Sequence, residues 1–183
     1  TGGSGAGYAP PVPYPTHDGG KGYLIFRAAG LFAINPTTGQ ELWSHEWITG
    51  ANVNAATPLY FDGKVFISSS YDKGCCLLDI SSGQPRELWR NKNMKNHFST
   101  SALHKGLIFG IDGHTGRRQT GVVALDPKDG SVVWRRELGM GSMRLADGKL
   151  IVLTEDGNLY FAEASSTGWL ELSKKQILTY KCW

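Results

Sequence analysis

Long apolar runs, a cysteine framework and a large charge excess are all missing from this 183-residue chain, and each gap removes a class of protein. No stretch approaches the ~18 uninterrupted apolar residues of a transmembrane helix, so no membrane span is expected. Three cysteines, Cys75, Cys76 and Cys182, make neither an even disulfide framework nor a Cys-x-x-Cys metal motif, and the sequence leaves their redox state open. The formal net charge is only +3, and the longest basic clusters are the pairs Arg117-Arg118, Arg135-Arg136 and Lys174-Lys175. That is an ordinary solvated surface, and no nucleic-acid partner is expected. The glycine run from Gly2 to Gly7 lacks the Lys-Ser/Thr and the helix that a phosphate loop needs. The chain starts at Thr1 without a leader pattern and stops on Cys182-Trp183 in mid-pattern, so both ends read as cut and location is not indicated.

Glycine is abundant, at 24 residues, alongside eight prolines, six Trp, seven Tyr and seven Phe. Such a composition disfavours long helices and favours many short strands with tight turns. Glycine shows no three-residue period, which excludes collagen, and the 40% hydrophobic content is too high for a disordered chain.

A repeat organises these residues. Ala33-Ile34-Asn35-Pro36-Thr37-Thr38-Gly39-Gln40-Glu41-Leu42-Trp43 and Ala124-Leu125-Asp126-Pro127-Lys128-Asp129-Gly130-Ser131-Val132-Val133-Trp134 share one frame. Between them, Leu77-Leu78-Asp79-Ile80-Ser81-Ser82-Gly83 leads to Trp89 with two extra residues, Gln84 and Pro85. A fourth copy decays from Ala162 through Gly168 to Leu172, where Leu stands for Trp. Trp43, Trp89 and Trp134 recur every 45 or 46 residues, a period that suits four-stranded sheets. Asp62-Gly63 and Asp147-Gly148 between apolar runs are hairpin signals. Asn or Asp caps the turn of each frame, Gly39, Gly83 and Gly130 take its left-handed position, and the Trp is expected to wedge between sheets and bond to a turn of the next unit. The reading is an all-β propeller of four-stranded antiparallel blades, with about four blades present. The units span about 23–47, 58–94, 103–138 and 145–178, with 1–15 and 179–183 as strands of flanking blades and the whole a partial propeller.

The frame resembles the blade signature of the pyrroloquinoline-quinone-like repeat family, similar to Ala-x-Asp-x-x-x-Gly-x-x-x-Trp. Asn91–Phe98 and Lys181-Cys182-Trp183 further resemble secreted bacterial members of that family with no assigned reaction. The resemblance implies an extracytoplasmic location, periplasmic or secreted. It also implies two functional classes: quinoprotein dehydrogenases, whose cofactor sits near the axis over a metal, and non-catalytic docking propellers such as the lipoprotein of the outer-membrane barrel assembly machine.

The residues favour the second class. Certain quinoprotein dehydrogenases join adjacent cysteines beside the cofactor, but Cys75-Cys76 runs straight into a core strand, which should point one thiol to each side of the sheet. The expected inner strands, Asn54–Pro58, His97–Ser101 and Gly141–Arg144 with Gly7–Pro11 before them, hold no carboxylate for a calcium ion. The primary expectation is therefore a non-catalytic scaffold or interaction module with no catalytic residues, no metal set and no cofactor. Its partners would be the remaining blades or a second copy, and a protein or small polar ligand. The alternatives are a fragment of a dehydrogenase using the quinone with calcium, its metal ligands lying elsewhere, and a carbohydrate- or peptide-binding propeller. Asn54 and His97 fall at equivalent places, with Asn52 and Asn96 beside them and Ser142 in the Gly141–Arg144 strand, and these form a candidate channel-mouth surface. Their competing role is to satisfy backbone groups between blades. His17, His45, His104 and His114 share no spacing and read as loop or surface residues.

Overall fold

Apolar residues on both faces of a strand require a neighbour on both sides, and the two middle repeat units have this pattern throughout. In a computed structural model describing residues 5–114 and 119–181, the chain forms four antiparallel four-stranded sheets and no helix among those residues. Blade 1 contains β1 (Val12–Pro15), β2 (Lys21–Arg27), β3 (Gly30–Ile34) and β4 (Glu41–Glu46). Blade 2 contains β5 (Leu59–Phe61), β6 (Lys64–Ser69), β7 (Gly74–Asp79) and β8 (Arg86–Asn91). Blade 3 follows with β9 (Ala102–His104), β10 (Leu107–Asp112), β11 (Gly121–Leu125) and β12 (Val132–Glu137), and blade 4 with β13 (Gly141–Ala146), β14 (Lys149–Thr154), β15 (Asn158–Glu163) and β16 (Leu170–Gln176). Strands pair in chain order within each sheet. This is a propeller of four meander blades.

Three apolar layers join the blades. Leu24, Phe26, Leu31 and Trp43 of blade 1 pack on Val65, Ile67, Cys76 and Leu78 of blade 2. Alternate residues of those same blade 2 strands, Phe66, Cys75 and Leu77, pack on Ile108, Val123 and Leu125 of blade 3. Phe109, Ile111, Val122 and Ala124 then pack on Met143, Leu150, Val152 and Tyr160 of blade 4. Each fully buried Leu, Ile or Phe contributes about 1.5–3 kcal/mol. The period-2 alternation of one strand thus serves two interfaces.

The first hairpins of blades 2 and 4 turn at Asp62-Gly63 and Asp147-Gly148, with φ of 46° and 69°, and 47° and 67°. Positive φ at both central residues matches the right-handed twist of the strands. Blade 3 uses Lys105-Gly106 in the same way, at 46° and 78°. In the frame turns, Asn35 Oδ1 accepts from the Thr37 amide at 2.9 Å and Asp126 Oδ1 from the Lys128 amide at 2.8 Å.

Several boundaries differ from the sequence expectation. Residues 12–15 are not part of a flanking blade: Val12 pairs with Leu24 and Pro15 with Lys21, making β1 the inner strand of blade 1. Of the 179–183 segment, 179–181 form no strand and 182–183 lie outside the described residues. The inner strands of blades 2 and 3 start at Leu59 and Ala102 rather than at Asn54 and His97, so the 54–58 and 97–101 segments are connections. The inner strand expected from Gly141 is found as β13, so blade 4 begins four residues before the repeat-unit bound of 145. Each third strand carries a register shift against the fourth, and in blade 4 the shift lies between Phe161 and Ala162. Ser173 therefore pairs with Phe161 as Trp43 pairs with Ala33, and Leu172 occupies the extra bulge position held in blade 1 by Leu42.

Candidate functional site

Antiparallel pairing puts the β6–β7 and β10–β11 turns and the connections between blades at one end of the sheets. There, the segments after β4 and β8 carry one buried asparagine each. Asn54 is fully buried; its amide donates to the Arg27 carbonyl at 2.8 Å and the Trp47 carbonyl at 3.0 Å, and its oxygen accepts from Ser69 at 2.6 Å. Asn96 is as deeply buried; its amide donates to the Ile111 carbonyl at 2.9 Å, its oxygen accepts from Ser101 at 2.9 Å, and its backbone N–H donates to Ser68 Oγ at 2.9 Å. The Asn54 side chain links blades 1 and 2, and Asn96 links blades 2 and 3 through its backbone N–H and its side chain together. Asn54 is thus matched by Asn96 rather than by His97, and neither offers its amide to a ligand. Asn52 is exposed in a left-handed conformation, with φ of 54°. Ser142 is half-buried in β13.

The three frame tryptophans lie in the sheet packing. Trp89 Nε1 donates to the Pro127 carbonyl of blade 3 at 2.8 Å, and Trp134 Nε1 to the Ser165 carbonyl of blade 4 at 2.8 Å. Trp43 meets Tyr14 edge to face at 6.2 Å. Gly130 lies directly under the Trp89 ring, where an added Cβ would come within 2.6 Å of it. Gly83 faces the His17 ring instead, and Gly39 faces open space, so of the three turn glycines only Gly130 docks against a frame tryptophan.

His97 belongs to a different setting. It stacks on His114 at 4.5 Å between ring centres and touches Phe98 at 4.7 Å, while Tyr71 Oη lies 3.1 Å from its Nε2. Its Nδ1 is buried without a hydrogen-bond partner among the described residues. Burial, and then His114, holds its pKa below the usual imidazole range. Beside this group runs an open groove of about 770 Å³ between blades 2 and 3. Tyr71 and His114 line one side, and Asp112, Arg135, Lys95 and Glu137 supply charge. Asp112 is buried, pairs with Arg135 and accepts from the Lys95 amide at 2.8 Å. Ser70, the aliphatic hydroxyl at the edge, donates to the Gly113 carbonyl at 3.2 Å. The groove offers an aromatic wall, fixed charges and hydrogen-bonding edges, which suit binding of a polar or peptide group. Sequence spacing does not bring Tyr71, Asp112, His114 and Arg135 together, because they come from two blades.

The innermost strands among the described residues offer no carboxylate for the calcium ion of a quinone site. β1, β5, β9 and β13 carry no Asp or Glu. Cys75 and Cys76 are free and face opposite interfaces, Cys75 toward blade 3 and Cys76 toward blade 1. Burial pushes the Cys75 thiol up to about 12, and it donates to Asn91 Oδ1 at 3.3 Å. These residues do not fit a cofactor held over an axial metal. Cys182 lies outside the described residues.

Four meander blades, two of the three junctions closed by a tryptophan that bonds to the next blade's turn, define a propeller of the pyrroloquinoline-quinone-like repeat class. The family model described as outer membrane protein assembly factor BamB matches residues 6–136 and 114–170, and the chain belongs to this family. BamB from Moraxella catarrhalis superposes with a TM-score of 0.70 at 15% identity, covering 94% of this chain and 49% of that one. The computationally designed Ika4 protein gives 0.59 at 15% identity, over 78% of this chain and 84% of that one. Quinohemoprotein alcohol dehydrogenase from Comamonas testosteroni gives 0.64 at 14% identity, over 86% and 34%. The chain spans about half the length of the BamB structure it resembles. No curated protein matches it.

Proposed function

We propose that the chain is a non-catalytic half-ring of an extracytoplasmic propeller, serving as a scaffold that docks a protein or small polar ligand once four further blades close the ring. The observation that carries this reading is the burial pattern of the end blades. In β6, β7, β10 and β11 nearly every residue is buried, whereas β2 and β14 alternate buried and partly exposed. The outward face of blade 1 therefore presents Tyr23, Ile25, Phe32 and Ile34, and that of blade 4 presents Ile151, Leu153, Leu159 and Phe161. No apolar layer joins blade 4 to blade 1 among the described residues. Two free apolar sheet faces are what a ring interrupted after four blades would leave. In the closed ring, the groove beside Tyr71 and His97 would be the docking surface. Membership of the BamB family supports an assembly role, and an axis without carboxylates argues against quinone-dependent oxidation.

Light scattering on the purified chain tests this directly. A species of about twice the 20.0 kDa chain mass is expected, with a second copy supplying the missing blades. A monodisperse, thermally stable 20.0 kDa monomer would overturn the half-ring reading.

A further inference from the structure

Three side chains of metal-binding type meet in the layer between blades 1 and 2, away from the groove. His45 comes from β4, Cys76 from β7 and Glu87 from β8, and one ligand atom of each lies within 4.8 Å of the other two. His45 Nε2 is 4.0 Å from Cys76 Sγ and 3.7 Å from Glu87 Oε2. A Cys–His–Glu nucleophilic triad would need the carboxylate on the nitrogen remote from the sulfur, to orient the ring. Here sulfur and carboxylate address the same nitrogen. That is the arrangement of three groups around one ion.

We propose that His45, Cys76 and Glu87 form a metal site of zinc type between the first two blades, with a fourth position left to water on the Glu87 side. Zinc accepts sulfur, imidazole nitrogen and carboxylate oxygen together, and its bond lengths put tetrahedral ligand atoms about 3.4–3.6 Å apart. The separations from His45 Nε2, 3.7 and 4.0 Å, need only a few tenths of an ångström of contraction, and Cys76 Sγ and Glu87, within 4.8 Å of each other, close by at most about 1.2 Å. Access is through the carboxylate, because Cys76 is fully buried and the side chains of His45 and Glu87 are 16% and 33% exposed.

The surroundings supply an outer shell. Arg90 donates to both Glu87 oxygens, at 3.2 Å to Oε1 and 2.6 Å to Oε2, and its guanidinium lies 4.8 Å from the Trp47 ring centre. Lys73 also lies over that ring at 4.8 Å. With a metal on Oε2, Arg90 retains Oε1 and orients the carboxylate from outside. The thiolate and carboxylate balance the charge of the ion. Binding transfers the Cys76 thiol proton to solvent, forms metal bonds to Cys76 Sγ, His45 Nε2 and Glu87 Oε2, and releases all but one of the aquo ligands of the ion, the last staying in the fourth position.

Cobalt(II) titration of the full chain, followed by zinc displacement, reads this site without any assumed activity. One equivalent of cobalt should give a near-ultraviolet thiolate-to-cobalt band with the visible bands of four-coordinate cobalt, and zinc should bleach both. Cys75→Ser and Cys182→Ser should leave the spectrum in place, and Cys76→Ser should remove the thiolate band. His45→Gln and Glu87→Gln should each weaken binding by more than the about 10–100-fold lost with an outer-shell partner. If Cys76→Ser fails to fold, these two less buried variants decide the question by themselves. The absence of a thiolate band, its survival in Cys76→Ser, or unchanged affinity in both His45→Gln and Glu87→Gln would overturn the site.

Discussion

Asparagine side chains at the blade connections carry both hydrogen bonds and chain direction, and two neighbours separate the roles. Asn54 satisfies two backbone carbonyls and a hydroxyl in a fully buried position, while Asn52 is exposed two residues away. Asn54→Leu leaves those partners buried and unpaired, at about 1–3 kcal/mol for each group stranded. Asn52→Ala is expected to cost no more than the roughly 1–2 kcal/mol of its left-handed conformation, since its exposed side chain strands no buried partner among the described residues. Urea denaturation of the two variants measures the contrast; equal effects would mean that Asn54 is not the clamp. His97 gives a pH signature. Its folded-state pKa is depressed, so the unfolded chain binds the proton more readily. Stability is then intact above the unfolded value of about 6.5 and falls as the pH drops below it, levelling once the folded group also protonates. A urea midpoint that falls from about pH 7 to about pH 5, and falls less in His97→Gln, is the expected result.

At the scale of the strand, a glycine opening the third strand sets how closely the outer strand can lie. Gly74 has φ of 97°, and an added Cβ would come within 2.1 Å of the Asn91 carbonyl oxygen; Gly30 and Gly121 show the same approach to His45 and Arg136. Gly74→Ala is expected to cost more than the roughly 1–2 kcal/mol of the left-handed conformation alone, while Gly39→Ala, facing open space at φ 70°, should cost only that. Thermal and urea unfolding of the pair tests this. The turn glycines were readable in sequence because Asn or Asp precedes them at fixed spacing, and the Asp-Gly hairpins because few other dipeptides suit two positive φ angles. The strand-opening glycines were not, since their constraint comes from a strand some 16 residues away. The same limit misplaced the fourth frame: counting ten residues from Ala162 reaches Leu172, but the pairing is set by the bulge, which only the partner strand reveals. The inner strands start later than Asn54 and His97, the polar residues that read as strand entries, because Asn54 and the Asn96 beside His97 are held instead by partners on β2, β6 and β10.

For the whole molecule, the half-ring makes a claim about one residue that local structure alone would not make. Ile151 sits opposite Phe161 on the outward face of blade 4, partly exposed. Were that face solvent-covered in function, a charge there would be a surface change of about 0.5 kcal/mol or less. If four further blades close on it, Ile151→Glu buries an unpaired carboxylate in an apolar interface, a cost the assembly cannot absorb. The expected outcome is loss of the species of twice the chain mass, with the far-ultraviolet dichroism of the sheets unchanged. Val133→Glu is the matched control: Val133 is 41% exposed on β12 of a middle blade, away from both end faces, and should leave assembly intact. Sedimentation across a concentration series distinguishes the cases, because a weakened interface shifts the association midpoint whereas an unused one does not. Equal behaviour of the two variants would place closure elsewhere and leave the apolar end faces without a partner.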